Sequence, residues 1–558
     1  MVISNFIDLL KINGIQNVCI SPGLRNTAIS LPFINNKFHC YSVLDERASA
    51  YLALGMALQT KIASVLICTS GTATANYLPA IIEASQSKIP LIIITADRPE
   101  KLLNTGENQT INQKNIYGDF VRSSLSFNEN DDIVNKIQDS LEFIDMKNSS
   151  TTIGPIHFNI HLSDFSPEHK IKINKTPLDR ISPIVKKSDL NWNSFPYKDI
   201  FNIHNYKKPL IIIGQLNRTL DYKLLSKFSE HLNAPILTDS LSQLRFSNLK
   251  SLNLYDHYIN QDNIKPDLII RVGQKPVSKK LSQKITELEK EGINNLNFSS
   301  LLIDNSGRFN DNAPTIIKID YKAFIQFIIN NTVANKNNIF YNQMHELENN
   351  VSEIINDEDD WSEFGIAKAS LLSIKNNENF VIGNSMPIRY IDMLGSLNIN
   401  HHINMYSNRG ASGIDGVIAT SLGIAFKSKH QTTLLIGDLS FIYDQSSLML
   451  AKQLKINLII VIINNNGGGI FSLLPVSKEI NKKIFTKYWT TPQNIDINNI
   501  ANLYNCNYNK VQTMKDLYKS LTNARKNKGI NIIDAQIDIN INKKVIKKIN
   551  QRIKKGIA

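Results

Sequence analysis

Two apolar runs in the last third of the chain each lead to a side chain that can bind a cation. Asp438 comes shortly after Leu434–Ile436, and Asn465 and Gly467–Gly469 come after Leu458–Ile463. Such runs are typical of buried parallel strands, and one strand–helix–strand crossover of about 30 residues fits between the two polar positions. Carboxylate and amide oxygens suit Mg²⁺, and glycines let the backbone approach a phosphate closely. The two segments therefore predict a magnesium ion that holds a diphosphate group.

The elements that must position these residues repeat along the chain in three blocks. We expect α/β domains at 1–175, 185–335 and 360–558, with a helical segment over about 337–363 before the third. The predicted strands are Val18–Ile20, Val65–Cys68 and Leu91–Thr95; Pro209–Ile213, Pro235–Thr238 and Leu268–Val272; and Phe380–Ile382, Ile403–Tyr406, Thr433–Ile436, Leu458–Ile463 and Ile532–Ile537. Regular alternation of strands and helices predicts three doubly wound parallel sheets, which bind ligands at the carboxyl ends of their strands.

The composition favours a reducing compartment and excludes several classes of protein. The chain has 558 residues and four cysteines, of which Cys19 and Cys68 lie inside apolar runs, as buried reduced thiols do. No apolar run approaches the roughly 20 residues of a membrane span, and the first residues do not have the pattern of a secretory signal. The net charge of +13 comes from dispersed lysines, and the densest basic run, Lys543–Lys555, is typical of an amphipathic helix with a solvated face. We therefore expect a cytoplasmic protein without a nucleic-acid partner or an integral membrane segment.

Other polar segments lie at predicted strand ends, and each is weak evidence by itself. Glu46 lies in Asp45–Arg47, which a helix N-terminus with acids placed against the helix dipole would explain. Turn formation and helix capping would explain Ser21–Thr27 and Thr69–Ala73 equally well. Only their combination with the Asp438 segment points beyond ordinary strand-to-helix turns.

Taken together and in order, the segments resemble a known family. Gly437-Asp438 followed by Asn464-Asn465 resembles the thiamine-diphosphate signature, although Leu439 replaces the third glycine of its commonest form. The narrower resemblance is to the 2-succinyl-5-enolpyruvyl-6-hydroxy-3-cyclohexene-1-carboxylate (SEPHCHC) synthases, the thiamine-diphosphate enzymes of menaquinone biosynthesis. The motifs that carry it are Ser21–Arg25, Asp45–Arg47, Thr69–Ala73, Thr95–Pro99, Asn108-Gln109, Gly383–Arg389, Ser407–Gly416 and Asn464–Pro475, with Gly307-Arg308 marking the central domain.

The resemblance implies a fold, cofactors and a reaction. It implies a pyrimidine-binding domain, a central domain and a diphosphate-binding domain, with thiamine diphosphate and Mg²⁺ (or Mn²⁺) as cofactors. The family decarboxylates 2-oxoglutarate and adds the resulting succinyl carbanion equivalent to isochorismate in 1,4 fashion, releasing CO2. Because the activating glutamate of this superfamily comes from the partner subunit, the resemblance also implies a homodimer or homotetramer with active sites at the subunit interface.

The resemblance assigns the cofactor site residue by residue. Asp438 and Asn465 would bind the metal by their side chains, and Gly467 by its backbone carbonyl. Glu46 would activate the cofactor, because thiamine chemistry needs a carboxyl group in an apolar pocket that shares a proton with the aminopyrimidine ring. The remaining cofactor-binding residues would be Ser385, Ile414, Gly437, Leu439, Ser440, Gly468 and Ile470. Among these, Ile414 would enforce the bent conformation of the cofactor.

The resemblance also assigns the substrate site. Arg389 and Arg409, with Ser385, would hold 2-oxoglutarate and the intermediates. The residues that would contact isochorismate or orient the intermediate are Arg25, Arg98, Asn108, Gln109 and Arg308, and Phe471 would wall the pocket. Gln109 would also take part in proton transfer. Where many relatives carry serine in the first turn this chain has Leu24, so the contact of that hydroxyl is not transferred to it.

The charge of the substrates makes the five motif arginines physically sensible. Both substrates of that family carry two carboxylates, and arginine binds carboxylates bidentately without losing its charge. Lysine far outnumbers arginine in this chain, so arginine at all five positions points to carboxylate binding. A solvated surface arginine would explain any single position.

Three other readings of the sequence stay open. The nearest is another thiamine-diphosphate 2-oxo-acid decarboxylase or carboligase, whose smaller and less charged substrates would not need five arginines. A catalytically silent α/β nucleotide-binding or regulatory protein would not need Glu46, Asp438 and Asn465 together. A dinucleotide-binding protein is disfavoured, because no Gly-x-Gly-x-x-Gly follows a predicted strand with an acid about 20 residues further on.

Overall fold

The strands of the computed structural model form three sheets, and every strand pairing described is parallel. The structure describes residues 2–145, 152–163, 206–217, 220–292, 298–305 and 311–556. Helices alternate with the strands along the chain. The predicted fold class, α/β with three parallel sheets, is confirmed.

The first sheet has six strands in the order β2-β1-β3-β4-β6-β5. Its strands are β1 Asn17–Ile20, β2 His39–Ser42, β3 Ser64–Cys68, β4 Leu91–Asp97, β5 Ser124–Asn128 and β6 Ile156–His161. The accompanying helices are α1 Val2–Ile12, α2 Thr27–Asn35, α3 Glu46–Thr60, α4 Thr72–Asn76, α5 Leu78–Gln86 and α6 Val134–Leu141. Every residue of β3 and β4 is buried, which explains why their sequences are continuous apolar runs.

The second sheet has five strands in the order β11-β10-β9-β7-β8. Its strands are β7 Pro209–Ile213, β8 Ile236–Thr238, β9 Leu268–Val272, β10 Ser299–Ile303 and β11 Thr315–Ile317, and its helices are α7 Tyr222–Leu232, α8 Lys279–Gly292 and α9 Tyr321–Asn331. The helix α10, Ile339–Asn356, follows it and confirms the helical segment predicted before the third block.

The third sheet has the order β13-β12-β14-β15-β17-β16, which is the same connectivity as that of the first sheet. Its strands are β12 Asn379–Ile382, β13 Asn404–Tyr406, β14 Thr432–Gly437, β15 Leu458–Asn464, β16 Asn507–Val511 and β17 Ile530–Gln536. Its helices are α11 Glu363–Leu372, α12 Met386–Leu394, α13 Val417–Lys427, α14 Asp438–Tyr443, α15 Met449–Gln453, α16 Val476–Glu479, α17 Lys482–Phe485, α18 Ile497–Leu503, α19 Met514–Ala524 and α20 Ile539–Gly556. The basic run predicted as a terminal helix lies in α20, whose Val545, Ile549 and Ile553 are buried.

The residues group into two compact units. The first unit comprises Met1–Lys186, Asn408–Lys429 and Tyr443–Leu458, and the second comprises Lys187–Ser407, His430–Ile442 and Ile459–Ala558. The first sheet lies in the first unit, and the second and third sheets lie in the second. Each sheet falls within one of the three predicted domains, whose limits stay a prediction.

Close packing of two helices inside the first unit depends on glycine. A Cβ atom on Gly55 of α3 would lie 2.1 Å from the carbonyl oxygen of Thr420, and one on Gly423 of α13 would lie 2.2 Å from that of Leu52. Helix α3 is buried over most of its length. Asp45 caps its start, because the Asp45 carboxylate accepts the Ala48 N–H at 3.1 Å. Lys61, which follows the last helical residue, has the left-handed conformation. The cap fixes the end of the helix at which Glu46 lies.

The strands that the sequence does not predict are mostly at sheet edges or carry polar side chains. β2, β5, β11 and β16 are edge strands, and they contain no continuous apolar run. β6 is buried throughout but contains His157, Asn159 and His161. In the part of the chain that the structure describes, no helix is long and apolar enough to cross a membrane.

The buried His157 predicts an acid sensitivity. Its Nε2 lies 2.9 Å from Thr95 Oγ1, and burial lowers its pKa from 6.5 to about 3. Because the unfolded chain binds this proton near pH 6.5 and the folded chain does not, the stability that neutral His157 contributes is lost as the pH falls from about 6.5 towards 3, by up to about 1.4 kcal/mol per pH unit. We expect His157→Gln to flatten this dependence when thermal unfolding is followed across the pH range. The same dependence of stability on pH in the original protein and the variant would contradict this prediction. The other histidines are present in both proteins, so their contribution cancels in the comparison.

Candidate active site

Three predicted motif loops meet at the carboxyl edge of the first sheet. A Cβ atom on Gly23 would lie 2.4 Å from Thr69 Cβ, so the turn after β1 packs directly against the turn after β3. The Gly71 N–H donates to Gln113 Oε1 at 2.8 Å, which attaches the turn after β3 to the loop after β4. Parallel strands bring loops of this kind to one edge of a sheet, where ligands bind.

These loops carry four of the predicted substrate-binding residues. Arg98 Nη2 donates to the carbonyl oxygen of Asn108 at 2.8 Å, and Arg25 Nη1 donates to that of Leu162 at 3.0 Å. Asn108 and Gln109 are exposed, and Gln109 has a left-handed φ of 52° and lies beside Gly71. The structure therefore brings Arg98, Asn108 and Gln109 into one loop system. Leu24, at the position that departs from the family, is 80% exposed.

A buried polar network beneath these loops holds the backbone at the end of β4, directly before Arg98. Asp97 accepts the Asn159 amide at 2.7 Å and the Arg98 N–H at 2.7 Å. Gln113 Nε2 donates to Asn159 Oδ1 at 2.8 Å and to the carbonyl oxygen of Ala96 at 3.1 Å. Burial raises the pKa of Asp97, while these hydrogen bonds oppose the rise. The network was not predicted, because its only signals in the sequence are Asp97 inside a motif and polar residues in a strand.

Glu46 begins α3, as predicted, and lies beside α4. Its Oε2 accepts a hydrogen bond from Asn76 Nδ2 at 3.3 Å, and its side chain is half-buried. This placement agrees with the role that the resemblance implies, without testing it.

The segment that carries Arg409 and Ile414 is attached to α3 and α5 within the first unit. The buried carboxylate of Glu83 accepts the N–H groups of Gly410 and Ala411 at 2.8 and 2.7 Å. The Tyr51 hydroxyl donates to Asp415 at 2.8 Å. Burial raises the pKa of Glu83, and the donated hydrogen bonds oppose that rise. Arg409 is half-buried and Ile414 is 40% exposed, so both side chains are accessible at the surface of this segment.

Removing the Glu83 carboxylate should loosen this segment. Glu83→Ala leaves two backbone N–H groups without their acceptor, which costs about 1–3 kcal/mol where water does not replace it. We expect faster amide hydrogen exchange at 408–416 and a lower midpoint of thermal unfolding. Glu83→Gln keeps an acceptor oxygen and serves as the control with a smaller effect. Unchanged exchange in Glu83→Ala would show that the segment is held by other contacts.

In the second unit, the predicted metal ligands lie at the carboxyl ends of neighbouring strands. Asp438 follows β14 and Asn465 follows β15, and the two strands pair in parallel. Asp438 Oδ2 accepts the Gly467 N–H at 2.7 Å, so the side chain and the glycine loop are in direct contact. Burial raises the pKa of Asp438 to about 7, and the neighbouring carboxylate of Glu363 adds to the rise. A divalent cation would supply the positive charge that this buried carboxylate lacks.

Gly467 can adopt its position only as glycine. Its φ is +148°, and a Cβ atom there would lie 2.4 Å from the carbonyl oxygen of Thr490. Gly468 is also buried, whereas Ile470 is half-buried and Phe471 is 36% exposed. The loop therefore presents backbone at its start and apolar side chains further on, as a site that holds a phosphate group beside an apolar wall requires.

Asn465 has one amide end satisfied and the other free, which is the arrangement that a metal ligand needs. Its Nδ2 donates to Glu363 Oε1 at 2.8 Å, and its Oδ1 is buried without a hydrogen-bond partner. Among the described residues no group of three or more His, Cys, Asp or Glu side chains could hold a metal ion, so a cation at Asp438 requires amide and backbone oxygens. The side chains present therefore fit Mg²⁺ held by Asp438, Asn465 and the Gly467 carbonyl.

The sequence did not identify Glu363, which is buried at the start of α11. Its Oε2 accepts the Tyr390 hydroxyl at 2.7 Å, and that hydroxyl accepts Asn542 Nδ2 at 2.6 Å. Burial raises the pKa of Glu363, while the hydrogen bonds from Asn465 and Tyr390 oppose the rise. No local pattern marks these residues, because the hydrogen bonds join positions far apart in the chain.

The remaining predicted residues of the second unit follow β12 and β14. Ser385 has φ +72° and ψ −124°, a conformation rare for a residue with a side chain, and its carbonyl oxygen accepts a hydrogen bond from Arg389 Nη1. Backbone strain of this kind is concentrated at functional sites. Gly437 and Leu439 are half-buried and Ser440 is buried. Arg308 lies outside the described residues.

The predicted residues that the structure describes are divided between the two units. The group of the first unit is Arg25, Glu46, Arg98, Asn108, Gln109, Arg409 and Ile414. The group of the second unit is Ser385, Arg389, Gly437, Asp438, Leu439, Ser440, Asn465, Gly467, Gly468, Ile470 and Phe471. The first group contains arginines, amides and one half-buried carboxylate, and the second contains the carboxylate and amide oxygens that would suit a cation.

Two domains of a known enzyme class match parts of this chain. Residues 2–116 match the N-terminal TPP binding domain of the thiamine pyrophosphate enzymes, and residues 392–535 match their C-terminal TPP binding domain. A benzoylformate decarboxylase from Polynucleobacter necessarius has a similar structure, with a TM-score of 0.71 and 17% identity over 96% of this chain and 98% of that one. At this identity the likeness shows the fold alone.

Similarity to the SEPHCHC synthases is extensive in sequence. The synthase of Bacillus pumilus (strain SAFR-032) is 31% identical, and the alignment covers 96% of this chain and 94% of that protein. The synthase of Chlorobium phaeobacteroides (strain BS1) is 32% identical over 95% of this chain and 93% of its own. The synthase of Staphylococcus haemolyticus (strain JCSC1435) is 32% identical over 90% and 89%. With this coverage and two thiamine pyrophosphate domains, the chain belongs to the 2-succinyl-5-enolpyruvyl-6-hydroxy-3-cyclohexene-1-carboxylate synthase family of thiamine-diphosphate enzymes.

Proposed function

We propose that this chain catalyses the thiamine-diphosphate-dependent decarboxylation of 2-oxoglutarate and the 1,4-addition of the succinyl carbanion equivalent to isochorismate, giving SEPHCHC and CO2 in menaquinone biosynthesis. Membership of the family supports the reaction. The observation that carries the proposal is the buried, unpartnered Oδ1 of Asn465, which follows the strand next to the one that Asp438 follows, because an oxygen in this position fits the metal that binds a diphosphate.

The cofactor site would use the residues that the family resemblance assigns to it. Asp438, Asn465 and the Gly467 carbonyl would hold Mg²⁺ or Mn²⁺, and the bound thiamine diphosphate would supply the electron sink for cleaving and forming carbon–carbon bonds. Glu46 would share a proton with the aminopyrimidine nitrogen of the cofactor. The other members of the cofactor site would be Ser385, Ile414, Gly437, Leu439, Ser440, Gly468 and Ile470.

The substrate site would be formed by arginine and amide side chains. Arg389 and Arg409, with Ser385, would bind the carboxylates of 2-oxoglutarate. The residues that would bind and orient isochorismate are Arg25, Arg98, Asn108, Gln109 and Arg308. Gln109 would also take part in proton transfer. Phe471 would exclude water from the reacting carbon, which protects a carbanion equivalent from protonation.

Two further features belong to the proposal. A homodimer or homotetramer would place Glu46 of one subunit in the site of its partner, and the half-buried position of Glu46 leaves its carboxylate accessible. The four cysteines are free, and Cys19 and Cys68 are buried, which is consistent with a reducing cytoplasm.

The decisive experiment measures CO2 release from 2-oxoglutarate with thiamine diphosphate and Mg²⁺, with and without isochorismate, while loss of isochorismate is followed. Turnover that requires both substrates would support the proposal. CO2 release that is indifferent to isochorismate would indicate a 2-oxo-acid decarboxylase instead. Cofactor binding without any turnover would indicate a catalytically silent member of the family.

A further inference from the structure

Glu363 contacts the predicted metal ligand Asn465 directly. It is the first residue of α11, where Ser362 caps the helix by accepting the Gly365 N–H at 2.9 Å, and its side chain is buried. Both carboxylate oxygens are engaged, Oε1 by the amide of Asn465 at 2.8 Å and Oε2 by the hydroxyl of Tyr390 at 2.7 Å. The carboxylate is therefore held at both ends and cannot rotate without losing a buried hydrogen bond.

The contact dictates which end of the Asn465 amide remains free. A carboxylate only accepts hydrogen bonds, so the NH2 group of Asn465 must face Glu363 and the oxygen must face away from it. Tyr390 reinforces this direction, because its hydroxyl accepts Asn542 Nδ2 at 2.6 Å and so directs its own proton to Glu363. All three donors in this network point towards the carboxylate, directly or through the hydroxyl.

The surroundings leave little room for another arrangement. A Cβ atom on Gly469 would lie 2.6 Å from Asn465 Nδ2 and 3.6 Å from Glu363 Oε1, so the amide and the carboxylate occupy the space that a side chain would take. Tyr390 is fully buried and Asn542 of α20 is 4% exposed. The orientation of the Asn465 amide thus depends on helices α11, α12 and α20.

We propose that Glu363 is a positioning residue for the divalent cation: it selects the amide orientation in which Asn465 offers its oxygen, and Tyr390 and Asn542 hold Glu363 in place. The inference rests on the proposed function, because the cation is part of the cofactor site proposed there. Without Glu363 the amide can present its NH2 group to the cation site, and an NH2 group repels a cation.

A reciprocal exchange of the two side chains tests this role. In Glu363→Gln, the new amide satisfies the Tyr390 hydroxyl with its oxygen and turns its NH2 group towards Asn465, which favours the reversed asparagine. In Asn465→Asp, two carboxylates face each other. The double variant combines both substitutions: the introduced glutamine donates its NH2 group to the introduced aspartate and accepts from Tyr390 with its oxygen. One oxygen of that aspartate is then again available to the cation.

The readout is thiamine diphosphate binding by calorimetry at a series of Mg²⁺ concentrations, which does not depend on turnover. We expect Glu363→Gln to raise the Mg²⁺ concentration for half-maximal binding by about 10- to 100-fold, the usual effect of losing an outer-shell partner. Asn465→Asp, which changes a proposed ligand and sets two carboxylates against each other, should raise it by at least about tenfold. The double variant should return to within about tenfold of the original protein. Loss of packing alone would make the double variant worse than either single one.

Glu348→Gln is the matched control. Glu348 is a half-buried residue of the same unit whose carboxylate accepts the Tyr258 hydroxyl at 2.7 Å and the backbone N–H groups of Asn253 and Leu254. We expect it to lower the midpoint of thermal unfolding without changing the Mg²⁺ requirement.

Two results would overturn the positioning role. One is an unchanged Mg²⁺ requirement in Glu363→Gln. The other is a double variant that needs as much Mg²⁺ for half-maximal binding as the single variant with the higher requirement. If Glu363→Gln does not fold, the comparison of Asn465→Asp with the double variant decides. Thiamine diphosphate binding by the unmodified protein without Mg²⁺ would remove the cation from the proposed cofactor site, and the positioning role with it, whereas failure of the proposed reaction would appear in the CO2 assay.

Discussion

Glu46→Gln is expected to lower kcat by a factor of about 10² to 10⁴, the range attributed to a positioned proton-transferring group. Glutamine keeps the size of the side chain and its ability to accept the hydrogen bond from Asn76, which lies at 3.3 Å in the native protein. It cannot share a proton with the aminopyrimidine nitrogen of thiamine diphosphate. The loss should therefore appear in turnover of 2-oxoglutarate and isochorismate, while cofactor binding changes little.

Asp45→Asn is the control for this experiment. Asp45 is the neighbouring acid and caps α3 by accepting the Ala48 N–H at 3.1 Å, which asparagine also does well. The substitution removes the same charge from the same helix end, so it should leave kcat nearly unchanged. Full activity of Glu46→Gln would show that the carboxylate has no role in activating the cofactor.

Asp438→Asn should abolish metal-dependent cofactor binding at ordinary Mg²⁺ concentrations. The carboxylate is the charged member of the proposed ligand set, and its Oδ2 also accepts the Gly467 N–H at 2.7 Å. Because outer-shell changes alone cost about 10- to 100-fold in metal affinity, we expect a first ligand to cost more than about 100-fold. The Mg²⁺ concentration for half-maximal activity, measured at saturating thiamine diphosphate, is the quantity that should rise.

The matching control is Asp239→Asn. Asp239 is a buried aspartate at the end of β8 whose oxygens accept the N–H groups of Leu241 and Val277 at 2.8 and 2.7 Å. The same chemical change there should reduce stability without altering the Mg²⁺ requirement. An Asp438→Asn variant with the normal Mg²⁺ requirement would remove Asp438 from the ligand set.

Local sequence patterns predicted those parts of the fold that they encode. β4, β14 and β15 are fully apolar over most of their length because both faces of each strand are buried, so their positions agree with the prediction to within two residues. Asp438 and Asn465 were predicted because they follow such strands. β2 and β16 escaped prediction because most of their residues are exposed or half-buried, so their sequences contain no continuous apolar run.

Residues that act through long-range hydrogen bonds escaped prediction for a different reason. Glu363 lies at a helix start, where an acid needs no explanation beyond the helix dipole. Its contacts with Asn465 and Tyr390 exist only because folding brings α11, β15 and α12 together. The same holds for Glu83, whose partners Gly410 and Ala411 lie more than 300 positions away. Spacing within a motif carries no information about such pairs.

The equal connectivity of the first and third sheets has a consequence for stoichiometry. β3 of the first sheet corresponds to β14 of the third, and β4 corresponds to β15. The positions that hold Asp438 and Asn465 after β14 and β15 are matched after β3 and β4 by Thr69-Ser70-Gly71 and Arg98. The same pair of strand ends thus occurs twice in each chain. Only the pair in the third sheet carries the acid and the amide. The pair in the first sheet carries an arginine, whose charge would repel a cation. A titration should therefore saturate at one Mg²⁺ per chain.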